Sequence, residues 1–137
     1  MDNASLAGFR VLLIDDNVDA NESMAALLEI IGYTVKTAID GAQALQVVAT
    51  FMPHLILCDI GLPGMSGYDL VAPLRLECGA RKVTIAAVTG YGHESDVARS
   101  LAAGFDAHLV KPLDADALLG FVAQHAADTK RDGANGS

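Results

Sequence analysis

The sequence predicts an α/β fold in which helices cover both faces of a five-stranded parallel sheet. Five short apolar runs alternate with segments of helical periodicity, and these runs are FRVLLI, YTVKTA, HLILC, VTIAAV and DAHLV. The runs are almost continuously apolar, which indicates strands that are buried on both faces. Strict alternation of strands and helices indicates parallel pairing through right-handed crossovers, and therefore a doubly wound sheet with five helices.

Each predicted strand is followed by a predicted helix. The first helix starts after Asn17, and Gly32 stands where a left-handed C-terminal cap is needed. One stripe of this helix is apolar and consists of Met24, Leu27, Leu28 and Ile31. The other helices are predicted over residues 42–50, 68–77, 94–103 and 114–127. Pro73 lies inside the third helix and predicts that this helix is kinked or shorter than drawn.

A chain of 137 residues is long enough to bury one hydrophobic core, so we expect one domain. We place this domain at residues 9–127, after a short N-terminal extension over residues 1–8. The polar stretch over 128–137 lacks the apolar residues needed to offset its ordering entropy. It is therefore expected to be disordered.

Composition disfavours several classes of protein. The net charge is -8 and the basic residues are not clustered, so direct binding to nucleic acid is not expected. No export signal is visible, and no segment reaches the roughly 18 apolar residues of a membrane span, which indicates a cytoplasmic protein. Cys58 and Cys78 do not form a short-spaced metal motif, and we expect both to be reduced thiols.

Charged side chains stand where predicted strands end. Asp15 and Asp16 close the first strand, Asp59 closes the third, and Lys111 follows the fifth. Parallel strands bring their carboxyl ends to one edge of the sheet, where open α/β sheets bind their ligands. The sequence thus predicts an acidic crevice that contains one lysine.

Three converging carboxylates need a counter-charge. Two unit charges about 4 Å apart repel by about 4 kcal/mol at an effective dielectric constant near 20. Carboxylate oxygens without His or thiolate partners suit Mg²⁺, and we expect Mn²⁺ to substitute for it. Without a cation, one carboxylate of the cluster could instead be held protonated.

The same crevice suits phosphoryl transfer, because an aspartate beside a divalent ion can accept phosphate as an acyl phosphate. Three further residues fit this reaction: Thr89 offers a hydroxyl, Lys111 a cation and Gly61 a backbone carbonyl. Each also has a simpler interpretation. Thr89 could cap a loop, Lys111 could pair with a surface acid, and Gly61 could serve the turn GLPGMSG.

Taken together, the segments DD, LILCDIGLPGMSG, TG and KP resemble the receiver domain of two-component response regulators, from about Phe9 to Val122. The predicted architecture is then flavodoxin-like, with strand order 2-1-3-4-5. The resemblance implies that Asp59 is the phosphoacceptor and that Asp16 binds Mg²⁺ directly. It also implies that Asp15 binds the ion through water and Gly61 through its carbonyl.

The resemblance further implies how a phosphoryl group is bound and sensed. Thr89 and Lys111 would bind phosphoryl oxygens, and the Lys111–Pro112 peptide bond would be cis. Thr89 would move inward with the loop GYGHES, residues 90–95. His108 occupies the position of an aromatic switch residue that is more often Tyr or Phe, and its imidazole adds sensitivity to pH.

The partners implied are a histidine kinase or a histidine phosphotransfer protein as phosphoryl donor. The fourth helix, fifth strand and fifth helix would form the exchange surface, including that of a homodimer. Such a protein is a signalling module that catalyses only its own phosphorylation and dephosphorylation. The sequence fits equally a stand-alone regulator and the receiver of a hybrid histidine kinase.

Two other classes of protein share parts of this pattern. A haloacid-dehalogenase-like phosphatase or phosphotransferase also uses Mg²⁺ and an aspartyl nucleophile, but it needs a second acid where this chain has Gly61. A flavodoxin-like flavin module has the same sheet order. It needs a phosphate-binding loop after the first strand, where Asp15 and Asp16 repel phosphate.

Overall fold

The computed structural model describes residues 8–90 and 94–135. Most of the expected N-terminal extension, and residues 91–93 of the expected switch loop, lie outside the described residues. The described strands are β1 (Arg10–Ile14), β2 (Thr34–Ala38), β3 (Leu55–Asp59), β4 (Thr84–Thr89) and β5 (Ala107–Val110). The described helices are α1 (Val18–Ile31), α2 (Gly41–Phe51), α3 (Gly67–Cys78), α4 (Glu94–Ala103) and α5 (Ala115–Asn135).

The five strands form one parallel sheet in the order β2-β1-β3-β4-β5. The predicted fold class, strand order and number of helices are therefore confirmed for the described residues. The direction in which strands are added reverses between β1 and β3. The chain places β2 on one side of β1 and then places β3, β4 and β5 on the other side. Open α/β sheets bind ligands at such a point, beyond the carboxyl ends of the strands.

The two faces of the sheet carry separate hydrophobic clusters because side chains alternate along each strand. In β1, Val11 and Leu13 pack with Leu28 of α1 and Leu118 of α5. The opposite face of the sheet packs against α2, α3 and the end of α4, in a cluster that includes Leu12, Ile14, Val48, Leu70 and Phe105. Burial on both faces explains the almost continuously apolar sequences of β1, β3 and β4, whereas the edge strands β2 and β5 are more exposed.

Local capping explains where the first two helices begin. The Asn17 side chain accepts a hydrogen bond from the backbone N–H of Ala20, at 3.1 Å, and so caps α1. Asp40 accepts from the backbone N–H of Gln43, while the Gln43 side chain accepts from the backbone N–H of Ile39. This reciprocal arrangement satisfies two backbone donors at the start of α2.

Two helices are longer than the sequence predicts. Helix α3 continues through Pro73 to Cys78, because its buried Leu70 and Leu74 hold it against the sheet on both sides of the proline. Helix α5 runs past residue 127 to Asn135. No proline follows Pro112, and extending an existing helix costs far less than starting one. The expected disordered tail over 128–137 is therefore helical as far as Asn135.

Two further findings bear on the composition arguments. Cys58 and Cys78 are both buried free thiols. Within the described ranges, no helix combines the length and the apolar character that crossing a bilayer requires.

Candidate functional site at the carboxyl edge of the sheet

The carboxyl ends of four strands bring the predicted site residues to one edge of the sheet. Asp15 directly follows β1, Asp59 ends β3, Thr89 ends β4, and Lys111 directly follows β5. The Lys111 backbone N–H donates to the backbone oxygen of Thr89 at 2.7 Å, so strand pairing continues to the site itself. The Lys111–Pro112 peptide bond is cis, as predicted.

The three predicted acids form one cluster. Each of Asp15, Asp16 and Asp59 offers a carboxylate oxygen, and these three oxygens lie within 4.8 Å of one another. Asp15 and Asp59 are 3% and 9% exposed, whereas Asp16 is exposed to solvent. The cluster thus has two carboxylates on its floor and a third at its open side.

Lys111 is held between the two buried acids. Its ammonium nitrogen lies 3.0 Å from Oδ2 of Asp15 and 3.3 Å from Oδ2 of Asp59. Burial alone lowers the pKa of Lys111, but the hydrogen bond to Asp15 and the charges of both acids outweigh it, and the pKa is raised. Lys111 therefore stays cationic and is not the partner of a surface acid.

The second oxygen of each buried acid is held by backbone. Oδ1 of Asp15 accepts from the N–H of Asn17 at 2.9 Å, and Oδ1 of Asp59 accepts from the N–H of Gly61 at 3.1 Å. Burial raises the pKa of Asp59, and the charge of Asp15 acts in the same direction. The Gly61 hydrogen bond and Lys111 oppose this rise only in part, so charge on Asp59 is costly until a cation joins the site.

Thr89 and His108 are in direct contact, and the contact extends into α4. Thr89 Oγ1 lies 3.1 Å from Nε2 of His108, and Nδ1 of His108 lies 3.0 Å from Oγ of Ser100. Ser100 is fully buried and Thr89 is 5% exposed. Sequence reasoning did not find Ser100, although a serine facing inward from an amphipathic helix was a usable signal for a buried polar contact.

Cys58 is adjacent to Asp59 in the chain but has different chemistry. Burial, together with the charges of Asp59 and Asp15, raises the pKa of its thiol to about 12. A thiol with this pKa stays protonated at neutral pH and is a poor nucleophile. Cys58 is therefore a poor candidate for a nucleophile at this site.

The donor set fits a small hard cation. Carboxylate oxygens from Asp15, Asp16 and Asp59 converge without His or thiolate partners among them, which is the chemistry that Mg²⁺ and Mn²⁺ favour. Burial is the main cause of the raised pKa of Asp59, and a bound cation would favour the charged form of this carboxylate. Both observations agree with the predicted divalent-ion site.

A groove opens beside Lys111, between α1 and the loop that joins β5 to α5. Its lining includes Asn17, Ala20, Met24, Pro112 and Leu113. Asp15 and Lys111 line the same groove, so it runs directly into the acidic cluster. The acidic cluster is thus reached over a largely apolar surface.

Comparisons with known proteins agree with this geometry. A family model described as the response regulator receiver domain matches residues 11–123. Protein PilG of Pseudomonas aeruginosa is 30% identical over 118 residues, which cover 86% of this chain and 87% of PilG. The transcriptional regulatory protein KdpE of Mycobacterium tuberculosis is 37% identical over 109 residues, which cover 80% of this chain and 47% of KdpE.

Solved structures give the same result. A CheY-like response regulator receiver domain protein of Methanospirillum hungatei superposes with a TM-score of 0.79 at 30% identity, covering 90% of this chain and 98% of that one. The receiver domain of a signal transduction histidine kinase from Syntrophus aciditrophicus has a TM-score of 0.79 at 27% identity, covering 90% and 94%. The chain is thus similar both to a CheY-like receiver domain protein and to the receiver domain of a histidine kinase.

Proposed function

The chain belongs to the response regulator receiver domain family, and from this premise we propose that it accepts a phosphoryl group on Asp59. Receiver domains are signalling modules that interact with histidine kinases or phosphotransfer proteins. We propose phosphohistidine as the donor and Mg²⁺ as the required ion. The position of Asp59 carries this proposal, because its buried carboxylate lies between Lys111 and two further acids.

In the proposed transfer, a carboxylate oxygen of Asp59 attacks phosphorus, the P–N bond of phosphohistidine breaks, and an acyl phosphate forms. The donor imidazole leaves with the bonding electron pair, and it leaves as a neutral ring because its other nitrogen carries a proton. Lys111, 3.3 Å from Asp59, offers charge to the phosphoryl oxygens, and Thr89 offers a hydroxyl from the end of β4. Asp59 must be ionised to attack, so the groups that lower its pKa support the reaction.

We assign the ion to Asp15, Asp16, Asp59 and the backbone carbonyl of Gly61, and Mn²⁺ is expected to replace Mg²⁺. When bound, the ion supplies the positive charge that offsets the carboxylates and the incoming phosphoryl group. The neighbouring residues hold Asp59 in place and shield its carboxylate from solvent. Gly61 N–H and Lys111 together fix both oxygens of the acceptor.

We propose that the groove between α1 and the loop that joins β5 to α5 receives the donor. Its apolar lining of Ala20, Met24, Pro112 and Leu113 lies next to Lys111. A helix that carries a phosphohistidine could pack on these residues and present its phosphoryl group to Asp59. The proposed output surface is different and consists of α4, β5 and α5, where Leu101 and Val110 are 51% and 41% exposed. The same surface is the proposed homodimer contact.

We propose that Thr89 and His108 form the switch. A phosphoryl group on Asp59 would draw the Thr89 hydroxyl toward it and strain the contacts from Thr89 to His108 and from His108 to Ser100. Because Ser100 belongs to α4, the displacement would reach the output surface. The site is thus linked to α4 by hydrogen bonds, and not only by the van der Waals packing of the switch side chain.

The acceptor is tested by phosphotransfer from candidate histidine kinases to wild type and to Asp59→Asn. We expect radiolabel on wild type, at no more than one phosphoryl group per chain, and none on the variant. Equal labelling of the variant would remove Asp59 as the acceptor. Sustained turnover of a small phosphate ester would instead favour a phosphatase of the haloacid-dehalogenase type.

The switch is tested with beryllofluoride and Mg²⁺, which mimic the phosphoryl group. We expect backbone amide resonances of Gly90, Ser100 and His108 to shift in wild type. In His108→Phe, which keeps a ring but loses both hydrogen bonds, the shift at Ser100 should become much smaller. An unchanged Ser100 resonance in wild type, at full occupancy of Asp59, would contradict the coupling.

A further inference from the structure

The side-chain amide of Asn21 in α1 is buried behind the acidic cluster, with 2% of the residue exposed. Its Nδ2 donates to the backbone oxygens of Asp15, at 2.8 Å, and of Ala38, at 3.2 Å. Both partners can only accept hydrogen bonds, so the amide nitrogen must face them and Oδ1 must face elsewhere. Asn21 thus ties the segment that carries Asp15 and Asp16 to the end of β2.

Oδ1 of Asn21 has no hydrogen-bond partner within residues 8–90 and 94–135. A buried amide oxygen without a donor is unfavourable, and in folded proteins it is normally satisfied by protein or by ordered water. Sequence reasoning did not single out this residue. Its position four residues after the cap residue Asn17, on the inner side of the helix, was the available signal.

Asn21 also lines a small cavity under the cluster, with about 10 Å³ of room for the centre of a water-sized sphere. This is enough for one water molecule, provided that polar partners are present. Asp15 and Asp59 line the same cavity. The rest of the lining is apolar and consists of Leu13, Ile14, Met24, Leu57, Val88 and Leu113.

We infer that this cavity is a binding site for one water molecule and that Asn21 is a positioning residue for the metal site. The water donates one O–H to Oδ1 of Asn21 and the other to a carboxylate oxygen of Asp15 or Asp59. Asn21 therefore holds Asp15 through its backbone oxygen and steadies the buried carboxylates from behind. The positioning role rests on the proposed function, whereas the water site does not depend on it.

The positioning role is tested by titrating wild type, Asn21→Leu and Val48→Ala with Mg²⁺ and following backbone amide shifts. Leucine has a similar size but neither donates nor accepts. Loss of a residue that orients a metal ligand typically weakens metal affinity by about 10- to 100-fold, and we expect at least the lower value for Asn21→Leu. Val48→Ala also loses a fully buried contact, but on the opposite face of the sheet, and should keep the wild-type dissociation constant. Equal Mg²⁺ affinity of wild type and Asn21→Leu would overturn the positioning role.

The water site is tested on the wild-type protein, so the result does not depend on whether Asn21→Leu folds. A high-resolution crystal structure should contain an ordered water within hydrogen-bonding distance of Oδ1 of Asn21. A dry cavity, or a protein donor in place of the water, would overturn the site. If wild type binds Mg²⁺ and holds this water but never accepts phosphate on Asp59, the proposed function fails and this inference stands.

Discussion

At the amino ends of β1 and β3, His54 is held as a neutral hydrogen-bond acceptor. The backbone N–H of Arg10 donates to its Nδ1 at 2.9 Å, and a backbone N–H has no capacity to accept. The ring also stacks on Phe9 at a centroid distance of 5.1 Å and an interplanar angle of 9°. Burial lowers the pKa of His54, and the nearby charges of Arg10 and Arg81 lower it further.

His54 should make stability depend on pH. The pKa of His54 is lower in the folded state than its ordinary value near 6.5. Below about pH 6.5, the unfolded state therefore binds a proton at His54 more readily than the folded state does. The stabilising contribution is therefore complete above about pH 6.5, and it is lost as the pH falls through the folded pKa. Urea unfolding at neutral and mildly acidic pH should show this loss in wild type.

The matched variant is His54→Asn, which keeps a hydrogen-bond acceptor but does not titrate. It should lose less stability than wild type over the same fall in pH, with His125→Asn as a control for removing an imidazole elsewhere. A wild-type pH dependence that survives unchanged in His54→Asn would show that another group causes it.

At the scale of an element, α3 starts unusually close to the strand that carries the acceptor. A Cβ added at Gly67, its first residue, would lie 2.8 Å from Cα of Ile60 and 2.9 Å from the backbone oxygen of Asp59. Both neighbours are backbone atoms and cannot rotate away. Only glycine lets the helix pack directly against the end of β3.

Two glycine substitutions should therefore have opposite effects. Gly67→Ala should lower the free energy of unfolding by about 1–3 kcal/mol, as overpacking usually does, and should displace Asp59. Gly120 in α5 is exposed and an added Cβ would meet nothing within 4 Å, so Gly120→Ala should raise it by about 0.5–1 kcal/mol. Urea unfolding measures both, and a tolerated Gly67→Ala would contradict the close packing.

Helix α3 does not end at Pro73, because packing against the sheet outweighs the helix-breaking effect of the proline. Pro73 removes a backbone hydrogen bond, and on sequence grounds the helix was expected to bend or to end early. Buried residues before and after the proline keep the helix on the sheet, and Arg75 follows it with hydrogen bonds to the backbone oxygens of Val83 and Gly104. These contacts join α3 to residues beside β4 and α4.

At the scale of the whole molecule, we expect the acidic cluster to couple metal binding to folding. Its members come from two strand ends that are far apart in the sequence, so the unfolded chain cannot present the same site. An ion that binds only the folded state stabilises it by about 2.7 kcal/mol at a concentration 100 times its dissociation constant. We therefore expect Mg²⁺ to raise the free energy of unfolding by this amount under such conditions.

Asp16→Asn separates metal binding from packing, because Asp16 is the exposed member of the cluster. Without Mg²⁺ the variant should be at least as stable as wild type, because it removes one of three converging carboxylate charges. With Mg²⁺ it should gain much less stability than wild type. Urea unfolding with and without the ion tests both statements, and an equal gain would remove Asp16 from the metal site.

The sequence by itself determined the succession of elements and the side chains that end the strands. Continuous apolar runs and helical periodicity depend on neighbouring residues, so they can be read along the chain. Asp15, Asp59, Thr89 and Lys111 follow from their positions at the strand ends. The family resemblance added the cis bond at Pro112, which the structure contains. The types of residue that follow the predicted strands thus indicate the chemistry of the site from the sequence alone.

Only the tertiary structure decided which of these side chains are in contact and which buried residues support them. Lys111 contacts Asp15, which is 96 residues away in the sequence, and Asp59, which is 52 residues away. The contact of His108 with Ser100 and the burial of Asn21 depend on how the helices are oriented on the sheet. Such contacts follow from packing in three dimensions, where small rotations of a helix change the partner of a side chain. No periodicity along the chain encodes them.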